Sequence, residues 1–419
     1  MTDGKTILFA PAANILFHVV RCLELAKELR LRGHRIIFVG ARRYLQDPVI
    51  TAGKEFEYYE LPDFEAEEAL GILRSIGKTP SKRFLLELID AELEALNKLK
   101  PDLIVADFRL TIYISARVCR IPLVSLLLSV WMQQYFDRSA SKVSLSTYPQ
   151  LLLLKKLVGN TGIVLLTPLL LRLIIWYKMR PFQEAAKLYG QTPRRMLWDL
   201  LVGDFNLLLD TEAWSPTRPL PQHFRRVGPI LWEPDLPLPE WVKQLDHTRP
   251  VVYVCFGSTA HKDLFRTIFS EFAATSYQVI VATGGQIDPQ EFHIPPNCYV
   301  DRFLPGGKIM EHADLVIYHG GAGTAYQVMK AGIPSIVIAT HLDQEYQGIS
   351  TEGHQVGIFL TMLEVLANPR LIVEATERII GNLTAYQKHS KKLRDDLLRY
   401  DGPVAAADCI EDFIQERRL

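Results

Sequence analysis

The stretch YHGGAGTAYQVMKAGIP, residues 318–334, is well suited to hold an anion. An apolar run, DLVIY, ends at Tyr318, and the turn His319, Gly320, Gly321, Ala322, Gly323, Thr324 leads into a helix-like run. Glycines let backbone N–H groups approach a ligand closely, and a helix N-terminus favours negative charge. The chemistry implied is phosphate binding. The turn is not a Walker A loop, because no Gly-Lys-Ser/Thr follows. It also fails GxGxxG, because Tyr326 takes the last position. A ligand-free turn that packs a helix on a strand is the alternative.

Other chemistry-bearing residues are sparse. The five cysteines, Cys22, Cys119, Cys255, Cys298 and Cys409, form no CxxC pair and suggest neither a disulfide framework nor a metal site. There is no DxD motif. We therefore expect no metal and no cofactor, with helix-dipole stabilisation of the anion.

The elements around these residues alternate. KTILFA, RIIFVG, DLIVAD and PLVSLLL read as short buried strands, with helix-like FHVVRCLELAKELRLRG and TIYISARVCR among them. A second series begins near residue 250 with PVVYVCFGS, YQVIVATGG, DLVIYHGG and PSIVIAT. Strand–helix alternation with apolar strands predicts parallel, doubly wound sheets, which bind ligands beyond the carboxyl ends of their strands. A chain of 419 residues is long for one core, so two α/β domains are expected. The boundaries predicted are 1–228, a proline-rich linker at 229–248, 249–400, and a helix at 401–419 that packs back towards the N-terminal domain.

Lys plus Arg and Asp plus Glu are both 47, and this neutral balance argues against nucleic acid as a partner. MTDGKTILFAPAAN lacks a signal-peptide pattern, so a cytoplasmic location is expected. Residues 150–200 are very apolar and carry eight Lys or Arg against two acids. Lys155, Lys156, Asn160, Pro168 and Arg172 interrupt the run, which argues against a transmembrane helix of about 20 residues. The plainer expectation is a pair of buried helices walling a substrate pocket. The alternative is peripheral association with the inner face of an anionic membrane.

The segment RFLPGGKIMEHADLVIYHGGAGTAYQVMKAGIPSIVIATHLDQEYQG resembles the donor-binding signature of the UDP-glycosyltransferase superfamily, the inverting, metal-independent GT-B enzymes. His18 and His34, 16 residues apart with RGH closing the helix, resemble that family's N-terminal pattern, as does LIVADFRLTIYISARVCRIPLV. The resemblance implies two facing Rossmann-like doubly wound domains with an interdomain cleft, an N-terminal acceptor domain and a C-terminal nucleotide-sugar domain.

By the same resemblance, His18 is the base for the acceptor hydroxyl and Asp107 orients it. The unperturbed histidine pKa of about 6.5 suits that task. His319 and the Gly320–Thr324 turn would cradle the diphosphate, together with Gly257, Ser258 and Thr259. Phe303 would stack on the base and Leu304 would present backbone atoms to it; packing in the core is the alternative for Phe303. Asp343 and Gln344 would bind sugar hydroxyls, unless they serve only to start a helix.

Three positions depart from the family pattern: Phe17 stands where Gly precedes the base, Gln327 where a Glu binds both ribose hydroxyls, and Gly306 where Gln follows the proline. UDP is the first choice of nucleotide, with dTDP and GDP as alternatives. Phe17, Trp131, Met132 and Tyr135 are the candidate acceptor contacts. The expected activity is sugar transfer, with inversion, to a hydroxyl of an apolar acceptor, either a natural-product aglycone or a lipid. A nucleotide-sugar epimerase or hydrolase, or a non-catalytic nucleotide-sugar binder, are the other readings.

Overall fold

The structure, a computed structural model, describes residues 4–51, 56–143, 148, 151–257, 261–284 and 288–419. Two compact units emerge: Met1–Ser141, Lys155–Trp232 and Tyr400–Leu419 form one, Lys142–Leu154 and Glu233–Arg399 the other.

Among the described residues the first unit is built on seven parallel strands: β1 (Thr6–Pro11), β2 (Arg35–Gly40), β3 (Glu57–Glu60), β4 (Leu103–Asp107), β5 (Leu123–Leu127), β6 (Phe205–Leu208) and β7 (Phe224–Arg226). Their order is β3-β2-β1-β4-β5-β6-β7. Every residue of β4 and β5 is buried, as central parallel strands covered on both faces require. The edges differ in composition. EYYE of β3 and FRR of β7 have no apolar run, and the sequence pattern does not single them out.

Among the described residues the second unit carries six parallel strands: β8 (Val251–Cys255), β9 (Gln278–Ala282), β10 (Cys298–Asp301), β11 (Leu315–Tyr318), β12 (Ser335–Ala339) and β13 (Gly357–Thr361). The order is β10-β9-β8-β11-β12-β13. In each sheet the chain starts in the middle, runs to one edge, then returns to the starting strand's other side. The reversal falls between β1 and β4 in the first sheet and between β8 and β11 in the second. At such a switch point the flanking loops diverge and leave a crevice.

Three parts of the predicted organisation need correction. First, the proline-rich stretch is not a free linker from 229 to 248. From Glu233 it belongs to the second unit: Val242 and Leu245 are buried in that core, and Trp241 stacks on Tyr299 at 5.1 Å. Second, Lys142–Leu154 groups with the second unit although it lies inside the predicted 1–228.

Third, residues 150–200 do not form a buried helix pair. Helix spans Leu152–Leu188 with one break, at Gly159, where φ is 71°. Neither Pro168 nor Arg172 interrupts it, and Thr161–Leu188 is long and apolar enough by length and composition to cross a membrane. One face, including Ile163, Leu171, Ile174 and Phe182, is buried. The other leaves Leu165 75 %, Leu169 57 %, Leu173 52 % and Trp176 43 % exposed.

The Gly402–Arg417 helix lies against the Leu16–Leu31 helix. Ala406, Ala407 and Ile410 are buried, and Arg32 bonds Asp408 at 2.6 Å and Glu411 at 2.9 Å. Where the chain leaves and re-enters this unit, the two passes touch. A Cβ on Gly228 would stand 2.3 Å from the Tyr400 side chain, and one on Gly402 would stand 2.3 Å from the Pro229 carbonyl oxygen.

Candidate active site

His18 and Asp107 meet at the β1–β4 switch point. Asp107 is the last residue of β4 and pairs in register with Pro11, the last of β1. The Leu16–Leu31 helix then begins two residues before His18. His18 Nδ1 lies 2.6 Å from Asp107 Oδ1. This contact fixes the tautomer: Nδ1–H donates to the carboxylate and Nε2 is left as the basic nitrogen. Phe108 follows Asp107 with φ at 60°, a conformation uncommon for a bulky residue. Its ring stacks on the imidazole at 5.3 Å and touches Trp131 at 4.9 Å.

Sequence reasoning did not identify Arg21. Only 2 % exposed, it is clamped on both oxygens of Asp107 through Nε and one terminal nitrogen. Burial pushes the Asp107 carboxyl up, but Arg21 and then His18 outweigh it, so the net direction is down and the group is a carboxylate. Phe17 packs under the Arg21 guanidinium, 4.4 Å from its centre. Of the other candidate acceptor residues, Trp131 and Met132 are partly buried against the first unit's core and Tyr135 is buried.

The second unit repeats this placement. Tyr318 at the end of β11 pairs with Cys255 at the end of β8, so Gly257 and His319 both lie just past the second switch point. Gly257 has φ at 59° and Gly320 at 86°. A Cβ on Gly257 would approach His319 Cε1 to 2.9 Å, and one on Gly321 would approach His319 Nε2 to 2.4 Å. The two glycines thus hold the imidazole between them.

Gly321 is the N-cap of the Ala322–Ala331 helix, and no side chain caps it. The first-turn N–H groups of Ala322, Gly323 and Thr324 are of the kind that bind anions. Burial, reinforced by His341, lowers the His319 pKa to about 4 against opposing contributions from Asp343 and the Cys255 main chain. The imidazole is therefore neutral at neutral pH and offers an N–H donor rather than a charge. Ser258 and Thr259 lie outside the described residues.

Phe303 is 57 % exposed, which excludes the core reading of this ring, while Leu304 is buried. Gln327 reaches Gly306: a Cβ there would stand 3.6 Å from Gln327 Oε1. Gln344 is buried, and its Oε1 accepts bonds from Thr340 N at 2.7 Å and Thr340 Oγ1 at 2.9 Å. Asp343 lies against the buried His341, a neighbour the motif alone does not reveal. The pair sits in the first turn of the Leu342–Gly353 helix, so helix initiation and ligand contact are compatible there. Among the described residues, no group of three His, Cys, Asp or Glu could hold a metal ion.

Residues 266–413 match the family described as Erythromycin biosynthesis protein CIII-like, C-terminal domain. The chain is 28 % identical over 395 residues to a PGL/p-HBAD biosynthesis rhamnosyltransferase of Mycobacterium bovis strain BCG, covering 93 % of this chain and 84 % of that protein. Among solved structures it resembles the kitacinnamycin glycosyltransferase, with a TM-score of 0.70 and 20 % identity over 98 % of this chain and 99 % of that one. It also resembles the spinosyn rhamnosyltransferase SpnG complexed with thymidine diphosphate, with a TM-score of 0.69 and 15 % identity over 97 % of this chain and 100 % of that one. These structural likenesses identify the fold as GT-B.

Proposed function

The chain belongs to the UDP-glycosyltransferase superfamily, and from that premise we propose that it moves a sugar from a nucleoside diphosphate to a hydroxyl of an apolar acceptor with inversion. The observation that carries this reading is the duplication of place. A base–carboxylate pair occupies the switch point of one sheet, and an anion cradle occupies the same point of the other.

In the reaction the acceptor O–H gives its proton to His18 Nε2. The acceptor oxygen bonds to the anomeric carbon as the bond to the diphosphate breaks, and the electron pair leaves with the diphosphate. Asp107 stabilises the imidazolium as it forms. The His319 N–H and the uncapped helix turn after Gly321 meet the departing charge, each donor of this kind being worth about 2.7–4 kcal/mol. Rhamnosyltransferase is the name of both a sequence relative and a structural one, which supports a 6-deoxyhexose as the sugar.

One observation favours a deoxyribonucleotide donor over UDP. Gln327 has no carboxylate to accept from two ribose hydroxyls, and the SpnG complex holds thymidine diphosphate. The exposed apolar face from Leu165 to Trp176, within a segment rich in Lys and Arg, supports action at the cytoplasmic surface of an anionic membrane on a lipid acceptor.

Radiolabelled dTDP- and UDP-sugars, offered with hydroxylated lipophiles, test the reading. We expect a glycosylated lipophile that His18→Ala no longer makes. Undiminished transfer by His18→Ala would remove the base assignment. Free sugar or an epimer without transfer would replace transferase activity by hydrolysis or epimerisation, and tight nucleotide binding without turnover would leave a binding protein.

A further inference from the structure

Resting on the reading of His18 as the base, we infer that Arg21 is a positioning residue of the reaction: it fixes the Asp107 carboxylate and, by sharing it, sets the strength of the base. The two residues lie one helical turn apart, so the helix that brings His18 to the switch point brings Arg21 with it. Arg21 is 2 % exposed and Asp107 is fully buried. Arginines are rarely this buried unless paired, and here the partner is the base's own carboxylate. One terminal nitrogen of the guanidinium bonds Asp107 Oδ1 and lies 3.2 Å from His18 Nδ1. Oδ1 is therefore the shared acceptor of the imidazole and the guanidinium.

Two effects follow. The planar fork of Arg21 holds both carboxylate oxygens, so the carboxylate cannot rotate away from the imidazole. A partner outside the reacting pair thereby orients the pair, as outer carboxylates orient metal-bound histidines. The second effect is electrostatic. Beside a lone carboxylate, protonating the imidazole completes a neutral ion pair. Beside the Arg21–Asp107 pair it creates a net positive charge, and the imidazolium is less stabilised.

The other titratable groups facing this carboxylate do not supply the missing charge. Burial raises the Cys22 thiol and the Tyr113 phenol well above their ordinary values, and both are neutral at neutral pH. Arg21 itself exchanges no proton with the substrate.

The test compares Arg21→Met, Arg21→Lys and Arg21→Met/Asp107→Asn with wild type and His18→Ala. The double variant leaves no unpaired buried charge. Each is read by acceptor KM, kcat, the pH profile of kcat/KM, titration of imidazole 15N shifts, and nucleoside diphosphate binding as a check that the fold is intact. We expect Arg21→Met to lower kcat about 10- to 100-fold with acceptor KM little changed. We expect the acidic limb of kcat/KM and the His18 15N titration to move up by about one pH unit. Arg21→Lys should restore the limb but only part of kcat, and the double variant should lose the upward shift.

Wild-type kcat and an unmoved limb in a folded Arg21→Met would overturn the inference while leaving the base reading intact. Should Arg21→Met fail to fold, wild-type kcat in Arg21→Lys, or an upward limb shift that persists in the double variant, would overturn it. Full activity in His18→Ala would instead remove the base reading on which it rests.

Discussion

Replacing Gly321 by alanine adds one methyl group to the cradle and isolates the role of His319. The backbone at Gly321 has φ −65° and ψ 134°, which any residue adopts, so alanine strains nothing by itself. The new Cβ would stand 2.4 Å from His319 Nε2 and 2.8 Å from Cε1. Comfortable separation for such atoms is about 3.5 Å, so the imidazole must retreat by about 1 Å. It has little room, because a Cβ placed on Gly257, on its other flank, would lie only 2.9 Å from Cε1. Overpacking of this size costs about 1–3 kcal/mol. On the proposed role of His319 as a phosphate donor, its displacement also loses that bond, about 1.5–3 kcal/mol, which is roughly 10- to 150-fold in affinity.

The assay is calorimetric titration of dTDP and UDP into four proteins: wild type, Gly321→Ala, His319→Ala and the double variant. If the glycine exists to seat the imidazole, His319→Ala makes room for the methyl. The second substitution then adds little to the first, and the cycle shows a coupling above about 1 kcal/mol. Additive losses, or a Gly321→Ala protein that binds dTDP as wild type does, would refute the reasoning.

Other outcomes follow from the same geometry. His319 is held near pKa 4 in the fold against about 6.5 unfolded, so the unfolded chain binds the extra proton between those values. That destabilises the fold as pH falls from 6.5, reaching about 3 kcal/mol near pH 4; urea unfolding at pH 7 and 4.5 should show the His319→Gln protein losing less stability on acidification than wild type. Phe303→Ala should leave the melting temperature unchanged, because the ring is 57 % exposed, yet raise donor KM by about 5- to 100-fold through lost stacking; an unchanged KM would remove Phe303 from the donor site. Gln327→Glu should shift the inhibition ratio of UDP to dTDP about tenfold towards UDP, and a ratio that stays put would count against a ribose contact. Leu165→Glu/Leu169→Glu should abolish flotation with anionic liposomes at nearly unchanged stability, and retained flotation would exclude that face.

The glycine turn and the central strands were legible because their causes are local, whereas His18 was singled out by the family resemblance alone. A run such as DLIVAD can hardly be anything but a buried strand, and a cluster of four small residues before a helix signals close approach. Arg21 was not legible. In FHVVRCLELAKELRLR it looks like one more solvated helix arginine, and only the fold shows Asp107, 86 residues away, beneath it. The turn around Phe108 was hidden likewise, because its positive φ is imposed by the tertiary setting on a residue that would not choose it. Edge strands β3 and β7 escaped because half-exposed strands need no apolar run. The long helix was misread at Pro168, which did not break it, whereas Gly159, which did, drew no notice.

The contact between Gly228 and Tyr400, and between Pro229 and Gly402, bears on how the molecule can be taken apart. The chain departs for the second unit and comes back at points that touch each other. In topological terms, Glu233–Arg399 enters and leaves its host at one seam, and Lys142–Leu154 groups with it from a second point of the chain. Cutting at residue 232 alone strips the Leu16–Leu31 helix of its partner and exposes the face that Ala406 and Ile410's helix covers. A short splice from Trp232 to Tyr400 keeps the host whole. The same seam sets the two joins of any graft of Glu233–Arg399 side by side, while Lys142–Leu154, which groups with that piece, stays in the host's stretch of chain.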